Sequence, residues 1–367
     1  MTAQLFSRAA VIGVGLIGGS LGLAIRARRL AGEVVGIDES GDRLKQALRL
    51  GAVDVAAGLA EGVRSADLVV LAVPAGRVVE VLRAAAPHLK PGAIVTDVAS
   101  VKEEIVRRAE EILPDSVPFV GGHPMTGSEK KGVENADPYL FENACYVLTA
   151  TPRTDRRALS ALEKMVEALG ARCLILSPGE HDLAVAGVSH LPHLAAAALV
   201  NAVAGAVEGR LAAALAGGGF RDSTRIAAGD PTLWCDILLA NREKVAEFVR
   251  ALRNELLAAE AAVAAGDRNS LEGWLERAAG FRRGLPGKVK GHRSRLYYLV
   301  LDIPDRPGSI ARVAALLAEA GINIADIEIL RVREGEGGTV NVGFASQDSC
   351  RAALEALRAG GVKCRWK

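Results

Sequence analysis

From residue 9 to about residue 176, short apolar runs alternate with stretches of helical spacing. The runs are AAVIGVG, EVVGID, ADLVVLAVP, AIVTDV, ACYVLTA and CLIL. Strands buried on both faces read as unbroken apolar runs, and a parallel neighbour is reached only through a crossover, usually a helix. The pattern therefore predicts βαβ units on a largely parallel sheet, a doubly wound α/β domain over residues 1–180. Beyond Ser177 the texture changes. Residues 182–215, 232–265 and 270–283 are rich in alanine and leucine, strong helix formers, without strand-like alternation. They predict an all-α domain over residues 181–290. Its apolar fraction exceeds what solitary amphipathic helices need, so part of its surface is expected to be buried against a second copy of the chain. The segment GFRRGLPGKVKGHRSR (280–295) reads as a solvated basic linker, not a nucleic-acid patch. From Tyr297 the order YYLVLDIP, SIARVAALLAEAG, INIADIEILRV, GTVNVGFAS, a helix to about Ala359 and VKCRWK gives βαββαβ. That is a small ferredoxin-like α+β unit over residues 296–367.

Length and charge narrow the classes. A chain of 367 residues fits two or three domains. The 45 Lys and Arg against 43 Asp and Glu leave a formal charge of +2, which provides no footprint for nucleic acid or an anionic membrane. The five cysteines are scattered, odd in number and never spaced C-x-x-C, so no zinc site or disulfide framework is expected, and reduced thiols point to the cytoplasm. The uncharged run at residues 9–25 has the length of a short membrane segment, but its glycines argue against one.

Those glycines carry the first chemical signal. GVGLIGGS places Gly13, Gly15 and Gly18 in G-x-G-x-x-G between a strand and a helix, and Asp38 closes the next strand 23 residues after Gly15. The first glycine makes the turn, the second admits a pyrophosphate and the third lets helix and strand pack closely. Leu16 and Ile17 then begin the helix whose N-terminal amides would face the phosphates. Asp38 suits the adenosine ribose hydroxyls, favouring NAD; Arg43 is near enough to reach a 2′-phosphate instead. AVPAG (72–76) ends another predicted strand, where Val73 and Pro74 serve either as cofactor contacts or as a strand terminator.

Four further clusters are candidates for a reacting site. VGGHPMTGSEKKG (120–132) places His123 before a proline, with glycines on both sides and Glu129 six residues on, and reads as a loop of fixed shape. TDVASVKEE (96–104) contains Ser100 and Glu103 in capping-box spacing, which by itself accounts for the serine. SHLPH (189–193) reads as a helix start capped by Ser189. Its pair His190 and His193 lacks a third metal ligand, so no metal is expected. GGGFRDSTRIAAGDPTLWCDI (217–237) offers Arg225 as a planar fork for a carboxylate, or as the partner of Asp222 or Asp230 in a salt bridge, with Trp234 beyond.

In order and spacing these motifs resemble the prephenate dehydrogenase family across nearly the whole chain. The tail, through D-R-P-G-S-I at residues 305–310 and G-I-N-I at 321–324, resembles an ACT domain. The resemblance implies NAD-dependent oxidative decarboxylation of prephenate to 4-hydroxyphenylpyruvate, with CO2 released. It implies His123 as the catalytic histidine, Ser100 as a hydroxyl bonded to that histidine or to the substrate hydroxyl, and Arg225 on a substrate carboxylate. His193, Glu129 and Trp234 fall at or beside the substrate pocket. It further implies a homodimer through the helical domain and an amino-acid effector, with tyrosine expected, at Asp305, Pro307, Gly308, Ser309, Ile310 or Asn323. The chemistry suits these residues, since a neutral histidine can take a hydroxyl proton near neutral pH. Three alternatives stand beside this reading. One is arogenate dehydrogenase, whose substrate carries an amino group in place of the side-chain keto group. The second is a β-hydroxyacid-type dehydrogenase with a catalytic lysine, for which Lys244 has no surrounding motif. The third is an amino-acid sensor without catalysis.

Overall fold

The computed structural model describes residues 4–127, 130–285, 296–304, 306–330 and 338–366. It forms two compact units, Met1–Lys288 and Val289–Lys367.

The first unit is built on eight strands: β1 (Phe6–Ile12), β2 (Ala31–Ile37), β3 (Val55–Ala56), β4 (Leu68–Leu71), β5 (Ile94–Asp97), β6 (Phe119–Pro124), β7 (Cys145–Thr149) and β8 (Arg172–Leu176). Their order is β3-β2-β1-β4-β5-β6-β7-β8. Every neighbouring pair is parallel except β6 with β7. The chain reverses its direction of travel across the sheet between β1 and β4, and a crevice opens at the carboxyl ends of the strands at such a point. Alternate residues feed opposite layers: Ala9 and Val11 of β1 join a core with Leu21, Val34 and Leu148, while Ala10 and Ile12 join one with Val35, Leu82 and Ile105.

The segment around His123 departs from expectation. It is the strand β6, buried along its whole length, and not a loop. Pro124 holds His123 out of the α region, and that bias serves a strand as well as a turn. The glycines serve packing and not the approach of a ligand: a Cβ on Gly121 would lie 2.4 Å from Thr149 Oγ1, and one on Gly122 would lie 2.6 Å from the Asp97 carbonyl oxygen.

The helical part also starts differently. Ser177 and Glu180 form a capping box that opens the helix Pro178–Val185, which runs through a π-helical turn at Ala186–His190 into the helix Leu191–Ala206. Ser189 therefore lies inside a continuous helical segment and caps nothing. This segment is long and apolar enough to span a membrane by length and composition, but His181, Asp182, His190 and His193 on it are all buried. Helices Gly209–Leu215, Gly218–Thr224, Pro231–Ala240, Arg242–Ala265 and Arg268–Gly284 follow. They leave large apolar side chains in solvent, among them Leu215, Leu239 and Phe281, the last 74% exposed.

The second unit pairs β9 (Tyr297–Ile303), β10 (Asp326–Leu330), β11 (Gly338–Phe344) and β12 (Lys363–Trp366) in the antiparallel order β10-β11-β9-β12. Helices Ser309–Glu319 and Gln347–Ala359 complete βαββαβ around Leu299, Leu301, Leu317, Phe344 and Leu357.

Candidate active site

A cleft of about 1360 Å³ lies in the first unit. Its lining includes Gly13, Gly15, Leu16, Ile17, Asp38, Val73, Pro74, Ser100, His123, His193, Arg225 and Trp234. Each glycine of the fingerprint meets a distinct constraint. Gly13 has φ +92°, and a Cβ there would lie 2.3 Å from the Ala72 carbonyl oxygen. A Cβ on Gly18 would lie 1.9 Å from the Gly13 carbonyl oxygen, so Gly18 is a packing residue and does not line the cleft. A Cβ on Gly15 would meet nothing within 4 Å, which leaves room for a pyrophosphate. The helix Leu16–Ala27 has no side-chain cap and no acidic residue in its first turn, so its amide donors suit phosphate oxygens. The Asp38 carboxylate accepts from Val14 N and Ser40 N, and Arg43 Nη1 donates to both of its oxygens. Arg43 is thus engaged by Asp38, and a 2′-phosphate would meet that carboxylate. These residues fit NAD.

Elsewhere on the cleft, His123 Nδ1 lies 2.8 Å from His181 Nε2, and His181 Nδ1 lies 2.7 Å from Asp182 Oδ1. Asp182 also accepts from Lys102 N (2.7 Å) and Glu103 N (2.9 Å), capping the helix Glu103–Ile112 from 80 residues away in sequence. Burial alone would raise the Asp182 carboxyl, but the bonds from His181, Glu103 and Lys102 hold it below its ordinary value. An ionised Asp182 requires a proton on His181 Nδ1. His181 Nε2 then accepts from His123 Nδ1, which leaves His123 Nε2 as a lone-pair acceptor on the cleft-lining ring. Burial, then the proximity of His181, Lys102 and His190, keeps His123 neutral well below the ordinary histidine range. Lys102, fully buried, bonds to Asp97 Oδ2, and Asp97 Oδ1 accepts from Gly122 N, next to His123.

The remaining candidates are placed as follows. Ser100 lines the cleft, but it does not cap the helix, and among the described residues it makes no hydrogen bond to His123. The S-x-x-E match fails because the helix begins only at Glu103, and Asp182 occupies the capping position. His193 stacks on Trp234 with ring centroids 3.6 Å apart, and His190 meets the same indole edge-on at 6.3 Å. The close approach of Trp234 and His193 to the backbone requires Gly229, where a Cβ would lie 2.7 Å from Trp234 Nε1. Asp230, considered for Arg225, pairs with Lys131 instead. Lys244 bonds Glu103 and does not line the cleft. Among the described residues no cluster of His, Cys, Asp and Glu could hold a metal ion. Glu129 and Asp305 lie outside the described residues. In the second unit Pro307, Gly308 and Ser309 line a cavity of about 500 Å³ with Arg306 and Arg312, whereas Ile310 and Asn323 are not in its lining.

Comparison with known proteins bears on this architecture. The family model for the nucleotide-binding domain of prephenate dehydrogenase matches residues 21–175, and that for its dimerization domain matches residues 177–277. The chain belongs to the prephenate dehydrogenase family. It is therefore an oxidoreductase with an NAD site, and the ACT domain model matches residues 297–348. The prephenate dehydrogenase of Bacillus subtilis is 37% identical over 350 residues, 95% of this chain and 94% of that protein. The cyclohexadienyl dehydrogenase of Zymomonas mobilis is 36% identical over 241 residues, 64% of this chain and 81% of that protein. The crystal structure of the Aquifex aeolicus prephenate dehydrogenase, in complex with hydroxyphenyl propionate and NAD+, has a TM-score of 0.71 at 32% identity, covering 77% of this chain and 98% of that one. The Synechocystis arogenate dehydrogenase follows at TM-score 0.67 and 35% identity, covering 75% and 99%. Within this family frame, His181 and Asp182 are the residues that sequence reasoning missed. The signal available was their position just inside a capping box, which reads as ordinary helix surface.

Proposed function

We propose that this chain oxidises prephenate to 4-hydroxyphenylpyruvate with loss of CO2. The observation that carries the reading is the His123–His181–Asp182 chain ending on a cleft whose other end fits NAD. When bound, NAD supplies the acceptor for the hydride that leaves ring C4. His123 Nε2 takes the hydroxyl proton, and His181 backed by Asp182 stabilises the positive charge this creates. The low proton affinity of a buried His123 keeps it in the base form, and its hydrogen-bonded partner offsets the cost of charging it. Arg225 holds a substrate carboxylate in place; a tight cation on the departing carboxylate would oppose decarboxylation, so its role is orientation. Ser100 contacts the substrate hydroxyl, and the Trp234–His193 stack forms an apolar wall of the pocket. NAD reduction by purified protein given prephenate tests the reading, and absence of reduction would overturn it. Arg225→Ala should raise KM with a smaller effect on kcat.

The exposed apolar side chains of the helical part support a homodimer formed through it. The cavity in the second unit, with Arg306 and Arg312 beside the N-terminus of the helix Ser309–Glu319, suits the carboxylate of an amino acid. We take tyrosine as that effector. Titrating tyrosine into the full chain and into a chain truncated after residue 290 should inhibit only the first. We place the protein in the cytoplasm, consistent with its five free cysteines.

A further inference from the structure

Lys131 and Asp230 stand 99 residues apart in sequence, and both line the cleft. Lys131 follows the strand that carries His123. Asp230 caps the helix Pro231–Ala240, which carries Trp234 one turn further on. Lys131 Nζ donates to Asp230 Oδ2, while Asp230 Oδ1 accepts from Thr232 N. The lysine side chain is 73% exposed and the aspartate 23%. Asp38 and Glu39 lie at the adenosine end, so among the described residues Asp230 is the carboxylate at the substrate end of the lining.

We propose that the Lys131–Asp230 pair makes this site prefer a substrate with a side-chain keto group over the same substrate with an amino group. The proposal rests on the prephenate reading above. An α-amino acid side chain brings an ammonium that seeks an anion, whereas an α-keto acid brings a carbonyl oxygen and a carboxylate that seek donors. A bare Asp230 would attract the first and repel the second. Bound to Lys131, its charge is masked, and the ammonium of this cleft-lining lysine keeps further N–H groups as donors. The Asp230 carboxyl lies below its ordinary range chiefly because of the Lys131 bond, which agrees with an ion pair intact at neutral pH.

The test measures kcat/KM for prephenate and for arogenate with the full-length wild type and three variants. Lys131→Met unmasks Asp230 and should move the ratio toward arogenate by about tenfold or more. Asp230→Asn keeps the helix cap and should move the ratio further toward prephenate. Lys131→Arg should restore the wild-type ratio. An exposed ion pair contributes little to stability, so Tm should stay unchanged and separate specificity from folding. Ratios within twofold of wild type in Lys131→Met and Asp230→Asn, with turnover retained, would overturn the proposal while leaving the prephenate reading intact. Wild type that reduces NAD with neither acid would overturn that reading, and the specificity assignment with it.

Discussion

Asp182 serves two elements at once: its carboxylate caps the helix Glu103–Ile112 and orients His181 behind His123. Replacing it by asparagine exchanges one acceptor for a donor, so either the cap or the imidazole tautomer is lost. Asp182→Asn should lower kcat between about 10- and 10³-fold and change the pH dependence of kcat/KM, which a pH–rate profile would reveal. His123→Asn removes the base itself and should lower kcat by about 10²- to 10⁴-fold, with NAD affinity preserved; a near-normal kcat would take His123 out of the mechanism. At this scale the sequence was legible where a motif is local. His123, Arg225 and the fingerprint glycines stand out as candidates in their own segments, while the roles of His123 and Arg225 come only from the resemblance over the whole chain. His181 and Asp182 could not, because their partners arrive from two other stretches of chain. For the same reason Ser100 was given a capping alternative that the structure assigns to Asp182.

Among the elements, the strand–turn–helix around Gly13 to Gly18 separates two kinds of glycine. Gly15→Val should fold with an unchanged Tm but raise KM for NAD by roughly tenfold or more, since its side chain would occupy open cleft. Gly18→Ala should instead lower Tm, because its Cβ would collide with the Gly13 carbonyl. Thermal melts beside NAD titrations distinguish the two. The apolar runs mark six of the seven strands longer than three residues in the first unit, but not β6. Two glycines and a proline within its six residues depart from ordinary strand composition. What makes it a strand is its packing against Thr149 and Asp97, which lie on neighbours that no local window contains.

For the whole molecule, buried neutral histidines tie stability to pH. His123 and His190 both bind protons less readily when folded than when unfolded, His190 down to about 4, each chiefly through burial. The unfolded chain therefore holds more protons between these values and about 6.5, the ordinary histidine pKa, and stability rises with pH through that window. Their contribution is complete above about 6.5 and declines as pH falls toward 4. Tm measured from pH 7 to pH 4.5 should fall, and His190→Gln should flatten part of the slope. Three domains are expected from texture and the chain forms two units, so what texture made legible is the break before the βαββαβ tail and the tail itself, each extending over tens of residues. Texture changes at Ser177, where the helix Pro178–Val185 starts directly after β8, but texture does not show that this helix brings His181 and Asp182 behind His123. The π turn at Ala186–His190 has a consequence for how this family member could change over time. An extra residue in a helix rotates all that follows by about 100°. His181 and Asp182 precede the turn, and His190 and His193 end or follow it. Loss of one residue there would leave a sound helix with its downstream histidines aimed elsewhere, so this site depends on a residue count that no single substitution scan would detect.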